Sequence, residues 1–145
     1  MRGAARLRPD VVAVVFAGGC VGGATRYWFT TAYPTANGAF PWSTLAVNLA
    51  GAFVLAVVVV VAAELVPSRY LRPLVGTGFC GALTTFSSVV VSADRLFAHD
   101  RVGTAVGYLL ATITGGLAAA VLGLLVGRWL ATGRGRSRSS EGSSP

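Results

Sequence analysis

Four long apolar stretches run through the chain, at about residues 11–33, 42–65, 71–91 and 103–129, and short polar segments separate them. Each reaches or exceeds the roughly 20 residues that an α-helix needs to cross a hydrocarbon core. A transmembrane barrel would instead show short strands alternating apolar and polar positions, and none is visible. The pattern predicts four membrane-spanning helices in one compact all-α domain over residues 11–130. A basic amino-terminal segment, 1–10, precedes it. A Gly/Ser-rich basic tail, 131–145 (with RGRSRSSEGSSP at its end), follows and is expected to be disordered.

Composition agrees with this reading, since 54% of the 145 residues are hydrophobic and 12% charged. Soluble domains carry about 25% charged residues. Cys20 and Cys80 both fall inside expected spans and read as small apolar fillers rather than a disulfide framework. The amino end imitates a lipoprotein signal ending in Phe-Ala-Gly-Gly-Cys20, but the first span continues past Cys20 and three more follow.

All twelve basic residues are arginine. With four spans, the amino end, the second loop and the tail share one side. That side holds nine of them: Arg2, Arg6, Arg8, Arg69, Arg72, Arg128, Arg134, Arg136 and Arg138. Arg95 and Arg101 lie on the other side, with Arg26 near that end of the first span. The bias predicts cytoplasmic termini. Juxtamembrane arginines set topology or touch anionic lipid, so nucleic acid is not an expected partner.

Candidate chemistry is sparse. Gly76 to Gly81 matches GxGxxG, yet Pro73 and a loop precede it where a dinucleotide fingerprint requires a strand. His99 is the single histidine and stands in a charged loop, and Asp94, Asp100 and Glu64 fall near span ends. Neither a nucleophile elbow nor a metal-ligand spacing is present, so no enzyme is expected. What remains inside the spans is uncharged and hydrogen-bonding. Asn48 must face protein or water, either as inter-helix glue or as a donor to a ligand. Thr112 and Thr114, with Tyr108 one turn before Thr112, share the fourth span, where threonines commonly bond back to their own helix. Gly18-Gly19 and Gly22-Gly23 predict close helix packing, and Arg26-Tyr27-Trp28 an interfacial anchor.

The third span carries GTGFCGALTTFSSVVVS over residues 76–92. Glycines, paired threonines and paired serines make a poor helix. Two readings stand: a small-residue packing face, or an interruption whose backbone satisfies itself on protein or a watery cavity. In an interruption, freed carbonyls could bind a cation and hydroxyls could donate to an anion.

Taken in order, GGCVGGATRY, VNLAGAF and GFCGALTTFSS, with Tyr108 and Thr112 on the fourth span, resemble the Fluc (CrcB-type) fluoride channels over most of residues 11–130. The resemblance implies a passive fluoride-selective channel of the plasma membrane that lowers cytoplasmic fluoride. It also implies a dimer of oppositely oriented four-helix subunits with a broken third helix. A structural sodium ion at the dimer interface would be held by the backbone carbonyls of Gly81 and Thr84. The fluoride pathway would take in Asn48, Phe86, Thr85, Ser88, Tyr108 and Thr112. Amide and hydroxyl donors suit this ion, because they replace its water without a fixed cation that would trap it.

Two positions depart from the family pattern, which has TTFSTF followed by a glutamate; here Val89 and Ser92 stand in the place of the second phenylalanine and the glutamate. Together with the strong arginine bias, this predicts pairing with a paralogous subunit of opposite orientation. A small four-helix proton-coupled exporter is an alternative, but it depends on a carboxylate within the first span and Asp10 stands only at its edge. A non-conducting membrane scaffold is another.

Overall fold

A computed structural model describes residues 8–65 and 68–141, with side chains described up to Thr132. The amino-terminal Arg2 and Arg6, the side chains of Arg134, Arg136 and Arg138, and the last four residues of the tail lie outside that description. Among the described residues all regular structure is helical.

Helix α1 covers Pro9–Ala32. Proline fits its first turn because the N–H that it lacks would have no intrahelical partner there. The helix ends at Tyr33, whose N–H donates to Phe29 O, just before Pro34, which disfavours helical backbone in the residue before it. Gly38 takes a φ of 71° in the loop that follows, a conformation open to glycine at little cost. Helix α2 covers Trp42–Glu64.

The third span is not uniform. Arg72–Cys80 is a π-helix, continued by the single α-turn α3, Gly81–Leu83. The backbone then leaves helical geometry at Thr84 (φ −77°, ψ 153°) and resumes as α4, Ser87–Ala98. The third helix is therefore broken, and the break falls at residues 84–86, just after the glycines rather than among them. The glycines widen the helix instead: Gly81 N–H donates to Gly76 O, five residues back. Wide turns of this kind are rare and cluster at functional sites.

Helix α5 runs Val102–Glu141, entered through a tight turn in which Asp100 takes a φ of 57°. It continues past residue 130, where the apolar pattern ends. No proline lies between Ala131 and Glu141 to interrupt the backbone ladder.

Packing divides the helices into two contact groups: α1 lies along the π-helical segment, while α2 and α4 pack against α5. Glycines set the first contact. A Cβ on Gly18 would collide with the Leu74 carbonyl, and one on Gly22 with that of Phe79. Reciprocally, a Cβ on Gly78 would lie 2.5 Å from Val15 O. The second contact uses glycines absent from the sequence reading: Gly123 meets Phe53 O and Gly127 meets Val60, where an added Cβ would stand 2.5 and 2.8 Å away.

A small core of Leu45, Val89, Ala93, Leu96, Ala105 and Tyr108 joins α2, α4 and α5. Phe40 caps it, its ring edge-to-face with Tyr108 at 5.5 Å. Elsewhere the apolar side chains point outward, and only 6% of the most apolar window of α5 is buried. Such a surface requires lipid or another subunit. Four helices are long and apolar enough to span a membrane, and the chain is a multi-pass membrane protein.

Candidate functional site

The break is built around three side chains from different elements. Asn48 on α2 clamps it by a reciprocal pair: Thr85 N–H donates to Asn48 Oδ1 at 2.8 Å, and Asn48 Nδ2 donates to Thr85 O at 3.0 Å. In a continuous helix the Thr85 amide would bond to the Gly81 carbonyl, so turning it toward Asn48 releases that acceptor. Asn48 thus acts as inter-helix glue, with one Nδ2 proton left for another acceptor. Thr84 is held locally, its N–H and Oγ1 both donating to Cys80 O at 3.0 and 2.9 Å.

Arg26 completes this cluster. Its Nη1 donates to Thr84 O at 3.3 Å, which ties α1 to the opened backbone. The sequence suggested only an interfacial anchor for Arg26. Its role at the break was hidden because fifty-eight residues separate the partners. Gly51, another residue passed over in the sequence, lies under the Thr84 methyl, where a Cβ would collide.

Beyond the break, Thr85 Oγ1 starts the next helix. It accepts from Ser88 N–H at 3.2 Å and lies 3.1 Å from Ser88 Oγ and 3.2 Å from Ser87 Oγ, as Ser and Thr do at helix N-termini. Phe86 turns outward, 81% exposed in the single chain, and Gly81 is exposed beside the same interruption.

A second polar locus lies toward the end that carries the loops 34–41 and 99–101. An open groove of about 450 Å³ is walled there by Thr30, Thr35, Ser43, Thr44, Ser87, Ser88, Ser92 and Arg95, with Pro34 and Val91. Seven of these carry hydroxyls, and no carboxylate lines the groove. Below it stands Tyr108, wholly buried. Its hydroxyl has no hydrogen-bond partner of good geometry, although Ser92, Thr112 and Thr44 are its polar neighbours. Thr44 and Ser92 therefore belong both to the groove wall and to the surroundings of the buried phenol.

The remaining candidates separate. Thr112 Oγ1 donates back to Tyr108 O at 2.8 Å, and Thr114 likewise to Leu110 O. Val89 is 4% exposed within the core beside Tyr108, not on the groove, whereas Ser92 lines it. Asp10 sits at the far end, paired with Arg69 at 2.8 Å and accepting from the Tyr70 hydroxyl at 2.9 Å. Both members of this ion pair are largely exposed, so solvent screens it and it adds little to stability. A carboxylate already held this way is poorly placed for proton exchange in a central site.

Comparison with known proteins bears on this arrangement. The family model described as "CrcB-like protein, Camphor Resistance (CrcB)" matches residues 13–124. The chain is 42% identical over 138 residues to "Fluoride-specific ion channel FluC 3" of Streptomyces avermitilis, which covers 94% of this chain and 68% of the relative. It is 45% identical over 108 residues to "Fluoride-specific ion channel FluC 1" of Streptomyces coelicolor, covering 74% and 70%. A third relative, "Fluoride-specific ion channel FluC 2" of Nocardia farcinica, is 39% identical over 131 residues, covering 90% and 93%.

Proposed function

Because the chain belongs to the CrcB family, we propose that it is a subunit of a fluoride-selective channel in a bacterial plasma membrane, lowering cytoplasmic fluoride by passive efflux. Relatives named as channels, not enzymes, support the class. The observation that carries the reading is the buried, unpartnered Tyr108 hydroxyl beneath a hydroxyl-lined groove. Ser92, Thr112 and Thr44 surround this hydroxyl, and in this reading a passing anion accepts its hydrogen bond. Fluoride, small and strongly hydrated, needs donors in place of water, and Thr44, Ser92 and the free Asn48 proton are of that kind.

The functional unit in this reading is a dimer of oppositely oriented subunits. A single chain leaves Phe86 and Gly81 exposed at the break, and a partner covers them. Fit to a sodium ion rests on the same feature. The break turns the Gly81 carbonyl away from helical pairing, and Thr84 O keeps lone-pair capacity beyond its one bond to Arg26. These two oxygens would hold the ion from this chain, with further ligands from the second subunit. When bound, the ion adds positive potential near the anion route. Phe86, exposed at the same break, would meet an anion through its ring edge, the positive part of its quadrupole. The partner is a paralogous subunit, since nine arginines against three hold this chain in one orientation. The numbered names of the relatives fit organisms that carry more than one such chain.

Fluoride efflux from liposomes tests the proposal, with the chain alone and with a candidate partner. We expect flux in the paired preparation. Asn48→Ala should lower it at least tenfold, since an opened clamp leaves two backbone groups unpaired at about 1–3 kcal/mol each; Phe86→Ile should also lower it. Absence of flux in both preparations would favour a scaffold instead, and strong flux from the chain alone would reject an obligate heterodimer.

A further inference from the structure

The groove has one charged wall residue, and it is a cation. Arg95 stands in the last turn of α4 and borders both this groove and an adjoining pocket of about 40 Å³ formed with the loop at Thr35 to Ala39. Among the described residues no carboxylate lies within ion-pair distance of it. Asp94, next in sequence, does not line either space. Arg95 therefore brings an unpaired positive charge to the wall of a concave surface whose other polar side chains carry hydroxyls. Two of those, Thr44 and Ser92, lead to the buried Tyr108.

A charge in this position acts at range. In a cleft beside low-dielectric walls it raises the local concentration of counter-ions and their rate of entry. Being exposed, Arg95 keeps its hydration and offers no deep well in which the anion would be trapped. We propose that Arg95 is the anion-capture residue of this channel mouth, setting how often fluoride enters the groove from bulk solution and leaving the barrier further in unchanged. The inference rests on the channel reading above and adds to it one residue and one kinetic step.

Ionic strength separates capture from structure. Screening lengths are about 30 Å at 0.01 M and 3 Å at 1 M salt. In liposomes holding the full chain, with its paralogous partner where flux requires one, Arg95→Gln should lower fluoride flux about 2–4-fold at 0.01 M ionic strength. Arg95→Glu should lower it about 5–10-fold by reversing the field. Both deficits should vanish at about 1 M, and Arg95→Lys should restore flux at every ionic strength. Equal flux from the wild type and Arg95→Gln at low salt would overturn the inference and leave the channel reading standing. A deficit that persists at high salt would also overturn it, because the residue would then act on packing or on the inner barrier. Absence of wild-type flux at every ionic strength, with the partner present, would instead remove the channel reading itself.

Discussion

Asn48 illustrates how one side chain can open a helix while pairing the backbone of the residue at the opening. Its amide replaces, for Thr85, the helical partners that the interruption removes. The sequence showed that a buried amide in AVNLAGAF had to find a partner, but not that the partner was the backbone of the third span. Tyr108 poses the opposite case, a buried hydroxyl without one. Removing it should not unfold the protein. Tyr108→Phe keeps the ring against Phe40 and should change stability by no more than about 1 kcal/mol, because the hydroxyl makes only poorly aligned contacts with Ser92, Thr112 and Thr44. Flux should nevertheless fall roughly tenfold if the hydroxyl donates to the passing ion, a contribution of about 1.4 kcal/mol. Thermal unfolding in detergent and liposome flux measured on the same preparation check the pair. Reduced stability with normal flux would mark the phenol as structural.

Helix packing follows from where glycine is needed and where it is only tolerated. Gly22 and Gly23 are neighbours in sequence, yet Gly22 abuts the Phe79 backbone while nothing lies within 4 Å of a Cβ built on Gly23. Gly22→Ala should cost about 1–3 kcal/mol, since a backbone carbonyl cannot rotate away as a side chain can. Gly23→Ala should be neutral or stabilising by up to about 1 kcal/mol through helix propensity. Unfolding midpoints in one detergent decide it; equal losses for both would reject the packing assignment. The repeated pair Gly18-Gly19 and Gly22-Gly23 was legible in the chain as a close-contact surface, but not which member of each pair faces the neighbour. The third span was legible as a poor helix, open to a packing or an interrupted reading. Its glycines form a wide π-helix along α1, and the helix opens just after them, where Asn48 and Arg26 receive it. Backbone freedom permits a break; only partners for the released groups decide where it falls.

For the whole molecule, the exposed apolar faces matter most. Phe16, Leu117 and Trp129 are each more than 60% exposed, and no aqueous medium would tolerate so many. The arginine asymmetry predicts one orientation, with both termini in the cytoplasm. A reporter that folds only in the cytoplasm, fused after the tail, should be active, and one requiring export should be silent. Equal activity of both would mean dual insertion and remove the argument for a paralogous partner.

The chain by itself determined that four apolar segments are long enough to cross a membrane, which ends carry the positive charge, that the third segment is a poor helix, and which polar residues lie inside the spans. Those properties depend on local chemistry: apolar length, charge counts and the weak helical preference of glycine, threonine and serine. Tertiary structure decided which of those polar groups are already paired. It assigned Asn48 and Arg26 to the broken backbone, placed Val89 in the core, and left the Tyr108 hydroxyl free under a groove with Arg95 at its wall. A hydrogen bond between residues thirty-seven or fifty-eight apart leaves no periodic trace in either segment. It exists only once packing has brought the two together.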